Sequence, residues 1–336
     1  MHWSSTTLTV LGLFLIASPA QANKNRTDLC GMSMHASDMP NIGSFAAVQG
    51  TWVIPEGLQR YEDSERDAPG VSQSVALCCG DDCSLRLAAG TLSYPREDLE
   101  KLGYYTAEPW FQLSPAFPAI QWPADMDLTF NTSAVIRSNV QILGPSKAKI
   151  IFSHYLGEGS GLQIRADIEI SMNSINIPEM HVNYTGSHGK GTFKRVGKMK
   201  DIPQPELCGD SAWWFVSDRY DVGPETDPTE ERKQRPDALG RFTPILMGNP
   251  RLWSTGNGQS DPREGLLEEN PGPGRMFPAY LPFSGLARFW DMVRHPGVDE
   301  DGNEDDTVTE VMCRTRAFLD DDMIMMHAPY TWGPGA

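Results

Sequence analysis

The chain reads as an all-β protein: an antiparallel β-sandwich followed by a partly helical C-terminal extension. Three observations point there. Apolar and polar residues alternate strictly from Leu162 to Asn173, so one face is buried and the other wet. Short extended segments closed by Gly or Pro recur between Phe45 and Asp218. That same stretch lacks helical periodicity, and many punctuated strands without helices pack as two sheets.

The elements follow in order. Residues 1–22 read as a signal peptide, with an apolar run Leu8–Ala17, a break at Ser18-Pro19 and a small-x-small site at Ala20-Gln21-Ala22. His2 is the one basic side chain ahead of that run. The run is too short to span a bilayer, and no later stretch reaches the roughly 20 apolar residues a spanning helix needs. Residues 23–245 form the sandwich. Within it, Phe45–Ile54 is a strand ended by Pro55, and Ile150–Leu156 is a strand ended by Gly157. Gly157-Glu-Gly-Ser-Gly161 is a hairpin turn rather than a phosphate loop, because no helix follows it. Val222–Leu239 is polar and reads as an exposed loop, and residues 248–281, rich in Gly and Pro, read as an irregular surface wrap. Residues 246–336 make the acidic extension. Leu286, Phe289, Trp290 and Val293 fall at helical spacing, with Ser284 as N-cap and Pro296 as stop. A second helix is expected over Val308–Leu319, opened by a capping box Thr307-Val-Thr-Glu310. There is no internal repeat.

Composition bounds the partners. The net charge is −16, all of it beyond residue 22. Phosphate backbones and anionic lipid surfaces repel such a chain, so neither nucleic acid nor, after signal cleavage, a membrane is an expected partner. All six cysteines follow the signal, and an even count in a secreted chain implies disulfides whose connectivity sequence alone does not fix. Sequons at Asn25, Asn131 and Asn183 agree with the secretory route.

Two stretches carry a resemblance. Ser74-Val-Ala-Leu-Cys-Cys-Gly-Asp-Asp-Cys-Ser-Leu-Arg-Leu-Ala-Ala-Gly90 and Leu207-Cys-Gly-Asp-Ser-Ala-Trp-Trp-Phe-Val-Ser-Asp218 look like the two halves of an active site. Three more pieces occur in matching order: Phe45-x-x-Val48-x-Gly50-Thr51-Trp52-x-Ile54-Pro55, Trp110-Phe111 with Pro115 and Ala124-Asp125, and Ile150 to Gly159. Together, over roughly residues 43–245, they resemble the glutamic peptidases or eqolisins, secreted fungal acid peptidases. The resemblance implies a concanavalin A-like sandwich of two curved antiparallel sheets. It also implies a Gln and a Glu on the concave sheet, the Glu as general base and then acid, the Gln amide as oxyanion donor.

This chain departs from that pattern at both places. Ala88 stands where the resemblance puts the Gln, and Trp213 where it puts the Glu. The family's accompanying Trp and Glu are likewise replaced, by Ala107 and Pro109. Neither alanine nor tryptophan abstracts a proton or holds a developing carboxylate charge. Peptidase activity by the family mechanism is therefore not expected. In regular strands Arg86 shares a face with Ala88, and Ser211, Phe215 and Ser217 share one with Trp213. These residues with Trp110 make a candidate ligand groove, in which aromatics stack on a ligand and Arg86 supplies a cation. The opposing reading is that Trp213 simply fills the groove, and Trp52, Trp110 and Trp214 weigh toward core positions.

The resemblance also suggests a Cys83–Cys208 disulfide. Vicinal Cys78 and Cys79 do not readily bond each other, which leaves Cys30 and Cys313 as candidates to anchor the two ends. A metal site on Cys78, Cys79 and Cys83 is the weaker option in an oxidising compartment. Asp299, Asp301, Asn303, Asp305 and Glu310 sit near calcium-loop positions, but Glu304 occupies the place that needs Gly, so a solvated acidic loop is the plainer reading. The seven histidines show no ligand spacing, and no Gly-x-Ser-x-Gly turn is present. Asp218 is the first acid to consider if acid chemistry survives.

Three functions remain in competition. The first is a secreted protein that binds a carbohydrate, a peptide or an apolar small molecule on its concave sheet. The second is a repurposed cyclase or isomerase of fungal secondary metabolism, acting by positioning in an aromatic pocket. The third is a residual acid peptidase. None calls for a cofactor, and the oligomeric state is not legible.

Overall fold

The structure is a computed structural model. It describes residues 24–26, 29–39, 43–55, 71–80, 83, 85–94, 106–114, 117–121, 130–131, 133–155, 162–174, 178–186, 189–196, 206–217, 242–255, 276–277, 286–294, 297–298, 304–305, 310–318 and 323–327. The signal peptide, the loop Val222–Leu239 and Asp218 lie outside these residues.

The strands run in chain order. The N-terminal third holds β1 (Lys24–Arg26), β2 (Cys30–His35), β3 (Ser44–Val53), β4 (Val71–Cys79), β5 (Leu85–Tyr94), β6 (Thr106–Ser114) and β7 (Phe117–Gln121). The middle holds β8 (Phe130–Asn131), β9 (Val135–Gly144), β10 (Lys147–Tyr155), β11 (Leu162–Ser174), β12 (Pro178–Gly186), β13 (Gly189–Val196) and β14 (Ser211–Ser217). The remainder holds β15 (Ile245–Thr255), β16 (Met276–Phe277), β17 (Arg288–Arg294), β18 (Gly297–Val298), β19 (Glu304–Asp305), β20 (Glu310–Phe318) and β21 (Met323–His327). A single 3₁₀ turn, Ala36–Asp38, follows β2.

Apart from the separate β18–β19 pair, the described strands build two sheets. The first runs β17–β2–β14–β4–β5–β6, with β1 outside β17 and β7 and β8 on β6. The second runs β13–β12–β11–β10–β9–β3–β15–β21–β20. Strand β20 also pairs with β17, which joins the two sheets at one side. All described pairings are antiparallel except β1 with β17. The expected strands at Phe45–Ile54, Ile150–Leu156 and Leu162–Met172 are present as β3, β10 and β11. Tyr155 pairs with Leu162, so the glycine-rich segment between β10 and β11 joins hairpin partners.

The core lies between the sheets because each strand turns one apolar row inward. Val75, Leu77, Ala89, Phe111 and Trp214 from the first sheet meet Val48, Trp52, Val140, Ile150 and Ile168 from the second. Two indoles bind the layers together. Trp214 Nε1 donates to the Gln49 carbonyl at 2.7 Å, and Trp52 Nε1 donates to Thr91 Oγ1 at 2.9 Å. The Thr91 hydroxyl in turn donates to Gln73 Oε1 at 2.9 Å, so this buried polar chain is satisfied rather than costly. At Gly50 the sheets touch so closely that an added Cβ would lie 2.8 Å from Val75 Cγ1.

The C-terminal quarter corrects the sequence reading. The segment expected as a helix at Leu286–Val293 is β17, and the one expected over Val308–Leu319 is β20. In β17, Phe289 packs toward the main core while Trp290 packs against a second cluster on the opposite face. A strand buried on both faces shows no alternation, and here it imitates helical spacing. In β20, Cys313 and Thr315 point in while Arg314 and Arg316 are exposed, a strand alternation that the capping-box pattern overrode. Residues 248–255, read as surface wrap, belong to β15 between β3 and β21. A register shift between Gly248 and Arg251 absorbs the Asn-Pro pair that looked like a strand breaker. The described strands of the extension are therefore woven into both sheets.

The disulfides are Cys30–Cys313, Cys78–Cys83 and Cys79–Cys208. The expected Cys83–Cys208 bond is thus replaced. Neighbouring residues of a strand point to opposite sides, so Cys78 and Cys79 face different partners. Cys83 has φ +59°, turning the chain back toward Cys78, at a Cα separation of 4.8 Å. Cys208, just ahead of β14, is left to Cys79. All six cysteines are bonded, which removes the thiolate metal option. The calcium-loop reading loses its frame as well, since strands rather than helices precede and follow it. Asp299, Asp301 and Asn303 lie outside the described residues, Asp305 ends β19, and Glu310 opens β20 opposite Arg294. No cluster of metal-ligating side chains occurs among the described residues.

Candidate functional site: the outer face of the first sheet

The site residues come together because strand register lines them up. One row crosses five strands as Gln112, Ala88, Ala76, Trp213 and Ser33. The next runs Trp110, Gly90, Ser74, Phe215, Gly31 and Trp290. On either side lie Arg86, Cys78, Ser211 and His35, and Glu108, Leu92, Ser72 and Ser217. These side chains all turn away from the main core, because their strand neighbours Leu77, Leu87, Ala89, Phe111, Ala212, Trp214 and Val216 turn into it.

This outer face is itself packed. Ala88 and Trp213 are 0 % exposed, and with Leu29, Ala76, Cys78, Leu92, Trp110 and Phe215 they form a second buried apolar cluster. The Trp213 ring stacks on Trp290 at a centroid distance of 5.4 Å, and the His35 ring meets it edge-on at 6.0 Å. Its Nε1 donates to Ser211 Oγ at 2.9 Å, and the Ser211 hydroxyl donates to the Gly80 carbonyl at 3.1 Å. Trp110 crosses toward β4 and donates to Ser72 Oγ at 3.0 Å. Gly31 has no substitute here, since a Cβ would collide with the Trp214 carbonyl oxygen and the Phe215 Cα of β14.

Charge is held at the margins. The half-buried Arg86 guanidinium sits 5.7 Å above the Phe215 ring, a cation–π contact. Arg288 makes a bidentate pair with Asp38 at 2.9 and 2.7 Å, fixing β17 to the turn after β2. Among the described residues of the four rows, Glu108 is the one carboxylate, and it stands in the outermost row rather than beside Ala88 or Trp213. Among the described residues, no carboxylate stands at the centre of this face.

Ser33 and His35 had no place in the groove read from the sequence, and Trp290 joins it from a strand rather than the expected helix. Trp290 Nε1 donates to Ser33 Oγ at 2.8 Å, and that hydroxyl lies 3.0 Å from His35 Nε2. With one lone pair taken by the indole, the hydroxyl proton is available to the imidazole. Both residues are 0 % exposed, so the pair has no direct path to solvent. The alternation of Gly31, Ser33 and His35 with Met32 and Met34 was the available signal for the first two. Trp290 was hidden by its helical spacing.

No family model matches the chain, and no curated protein does. Solved structures similar to it are glutamic peptidases. Scytalido-glutamic peptidase with a transition state analog inhibitor aligns at 10% identity and TM-score 0.49, covering 90% of this chain and 99% of that one. SCP-B, a member of the Eqolisin family of peptidases in complex with the tripeptide Ala-Ile-His, aligns at 9% identity and TM-score 0.44, covering 90% and 99%. Aspergilloglutamic peptidase from Aspergillus niger aligns at 13% identity and TM-score 0.30, covering 78% and 99%. At these values the overlaps add nothing about the site, whose chemistry rests on its own residues.

The expected groove residues Arg86, Ala88, Trp110, Ser211, Trp213, Phe215 and Ser217 lie on this one face. Asn131 and Asn183 are exposed on β8 and β12, as attachment of a glycan requires, while Asn25 lies in β1. No helix among the described residues is long and apolar enough to cross a membrane.

Proposed function

We propose that this is a secreted protein of eqolisin type that has given up peptide hydrolysis and acts by binding on its groove-bearing sheet. One observation carries the reading: Ala88 and Trp213, the two positions that the resemblance assigns to the dyad, are apolar side chains that are wholly buried. A groove centre plugged by Trp213 against Trp290 leaves the margin as the contact surface, where half-buried Arg86 stands over Phe215. A carbohydrate, a peptide or an apolar small molecule would meet the Arg86 guanidinium there, with the Phe215 ring buried beneath it.

The test has two arms. Purified protein is incubated with denatured protein at acid pH, beside an Ala88→Gln/Trp213→Glu variant. Neither is expected to cleave, since the restored Glu would enter an apolar cluster where its ionised form is penalised. Wild-type cleavage would overturn the proposal. In the second arm the immobilised protein is exposed to culture fluid and its retained molecules are identified by mass spectrometry. Retention is expected to fall in an Arg86→Ala variant.

The Arg86–Phe215 contact also favours a second reading, a positioning enzyme of fungal secondary metabolism that holds a folding intermediate against an aromatic wall. A deletion strain that accumulates one precursor, or an altered isomer ratio, would select this reading over simple binding.

A further inference from the structure

Strand β13 is an open edge of the second sheet. Among the described pairings it pairs with β12 alone, whereas the other end of that sheet continues from β20 into β17. Alternate residues of an edge strand turn their N–H and C=O groups outward, and proteins blunt such rows with bulges, prolines or charge. β13 lacks the first two devices. Its sequence, Gly189-Lys-Gly-Thr-Phe-Lys-Arg-Val196, contains no proline, and its register with β12 runs unbroken from Gly186↔Gly189 to Glu179↔Val196. Six of its eight residues are exposed, and Val196 keeps 53% of its surface, so the outer side is uncovered. Its charge is opposite in sign to that of the chain. Lys190, Lys194 and Arg195 are three cations with no carboxylate on the strand, in a protein of net charge −16. Glu179 of the neighbouring β12 binds Lys194 at 2.6 Å, which still leaves the edge cationic. On the core-facing side Gly191 leaves room for the Tyr184 ring, which meets Phe193 at a centroid distance of 6.1 Å. The strand is thus anchored through β12 while its other side stays open.

We propose that the β13 edge is a docking site for an acidic extended peptide of a partner protein, added to the second sheet as a further strand. Backbone pairing supplies the affinity, and the cations select the sequence. Lys190 and Lys194 lie four residues apart on one face of the strand and Arg195 on the other. Carboxylates at alternate positions of an incoming strand therefore meet cations directly or diagonally across. A second copy of this chain is a poor occupant, because two β13 edges would set cation against cation. The same side chains that deter self-pairing thus favour an acidic strand over a neutral or basic one. A polyanion without a peptide backbone gains from the charge alone and leaves the outward N–H and C=O row unused. Asn183 lies on β12, so a glycan attached there stands behind the open side of β13 rather than on it. The edge is independent of the groove, which belongs to the other sheet.

Fluorescence anisotropy of the full secreted protein with a labelled, end-capped peptide of alternating Glu and Val tests the proposal. Saturable binding is expected, and the matching Lys–Val peptide is expected not to bind. Backbone N-methylation of the Glu–Val peptide keeps its charge but removes the pairing N–H groups, and is expected to abolish binding. A Lys190→Glu/Arg195→Glu variant is expected to bind at least about tenfold more weakly at an unchanged melting temperature, since both side chains are exposed. In the unaltered protein, bound peptide is expected to slow hydrogen exchange of β13 amides, a readout that needs no variant. Arg86→Ala, in the groove, is expected to leave binding unchanged. The proposal is overturned if the acidic peptide does not bind, if its N-methylated form binds equally well, or if the charge-reversed variant retains it. Tighter binding of a heparin oligosaccharide, or exchange protection confined to the groove strands, would also overturn it.

Discussion

Truncating Trp213 to alanine asks directly whether the centre of the groove is packing or an open surface. The indole is wholly buried and stacked on Trp290. Its N–H bonds Ser211 Oγ, but Ser211 keeps the Gly80 carbonyl, so truncation strands no polar group. The loss is then a transfer and cavity term, about 3–5 kcal/mol for a buried Trp→Ala change. Unfolding entropy of about 2.1 cal/mol/K per residue over roughly 300 residues converts that to a fall of about 5–8 °C in melting temperature. Urea unfolding followed by far-UV circular dichroism supplies the free energy, and a thermal scan supplies the shift. Adding Trp290→Ala closes a double-mutant cycle, and the stacked pair is expected to couple by about 0.5–1.5 kcal/mol. A loss below about 1 kcal/mol, or zero coupling, would mean the indole is solvated. The groove would then be open and the sealed-centre reading wrong.

Three further outcomes are expected. Partial reduction with stepwise alkylation and peptide mapping will yield Cys30–Cys313, Cys78–Cys83 and Cys79–Cys208, and a Cys83–Cys208 peptide would contradict the structure. Replacing Cys30 and Cys313 by alanine opens a link spanning 283 residues, and the chain-entropy relation puts its removal at about 5.6 kcal/mol. The third outcome concerns His154, whose pKa burial lowers from 6.5, with a smaller contribution from the Arg165 charge. The unfolded chain takes that proton first, so this share of stability is present above the unfolded value and is lost as pH falls through the folded one. Stability measured from pH 7.5 to 5 should fall, and His154→Gln should flatten that part of the slope; an unchanged slope would dismiss burial as the cause.

The sequence was legible where one face of a strand is wet. Leu162 to Ser174 shows its alternation because Gln163 and Glu169 are exposed while Ile168 and Ile170 are buried. It failed where strands are covered on both faces, as in β17, or broken by a bulge, as in β15. The groove residues were found from short motifs, whereas Ser33, His35 and Trp290 were not. Their meeting depends on β17 arriving beside β2 from more than 250 positions away, as the Trp290–Ser33 bond separated by 257 residues illustrates.

By itself, then, the sequence determined the acidic charge, the even cysteine count, the alternating strands and the apolar identity of positions 88 and 213. Those are properties of residue type and of spacing along one strand, which a linear reading captures. Only the tertiary structure decided which cysteines join, that the described C-terminal segments β15, β17, β20 and β21 are strands of the two sheets, and that Trp213 is capped by Trp290. It alone placed Lys190, Lys194 and Arg195 on an open sheet edge. Pairing partners in a sheet are set by long-range register, and no local pattern encodes which distant strand will supply the neighbour.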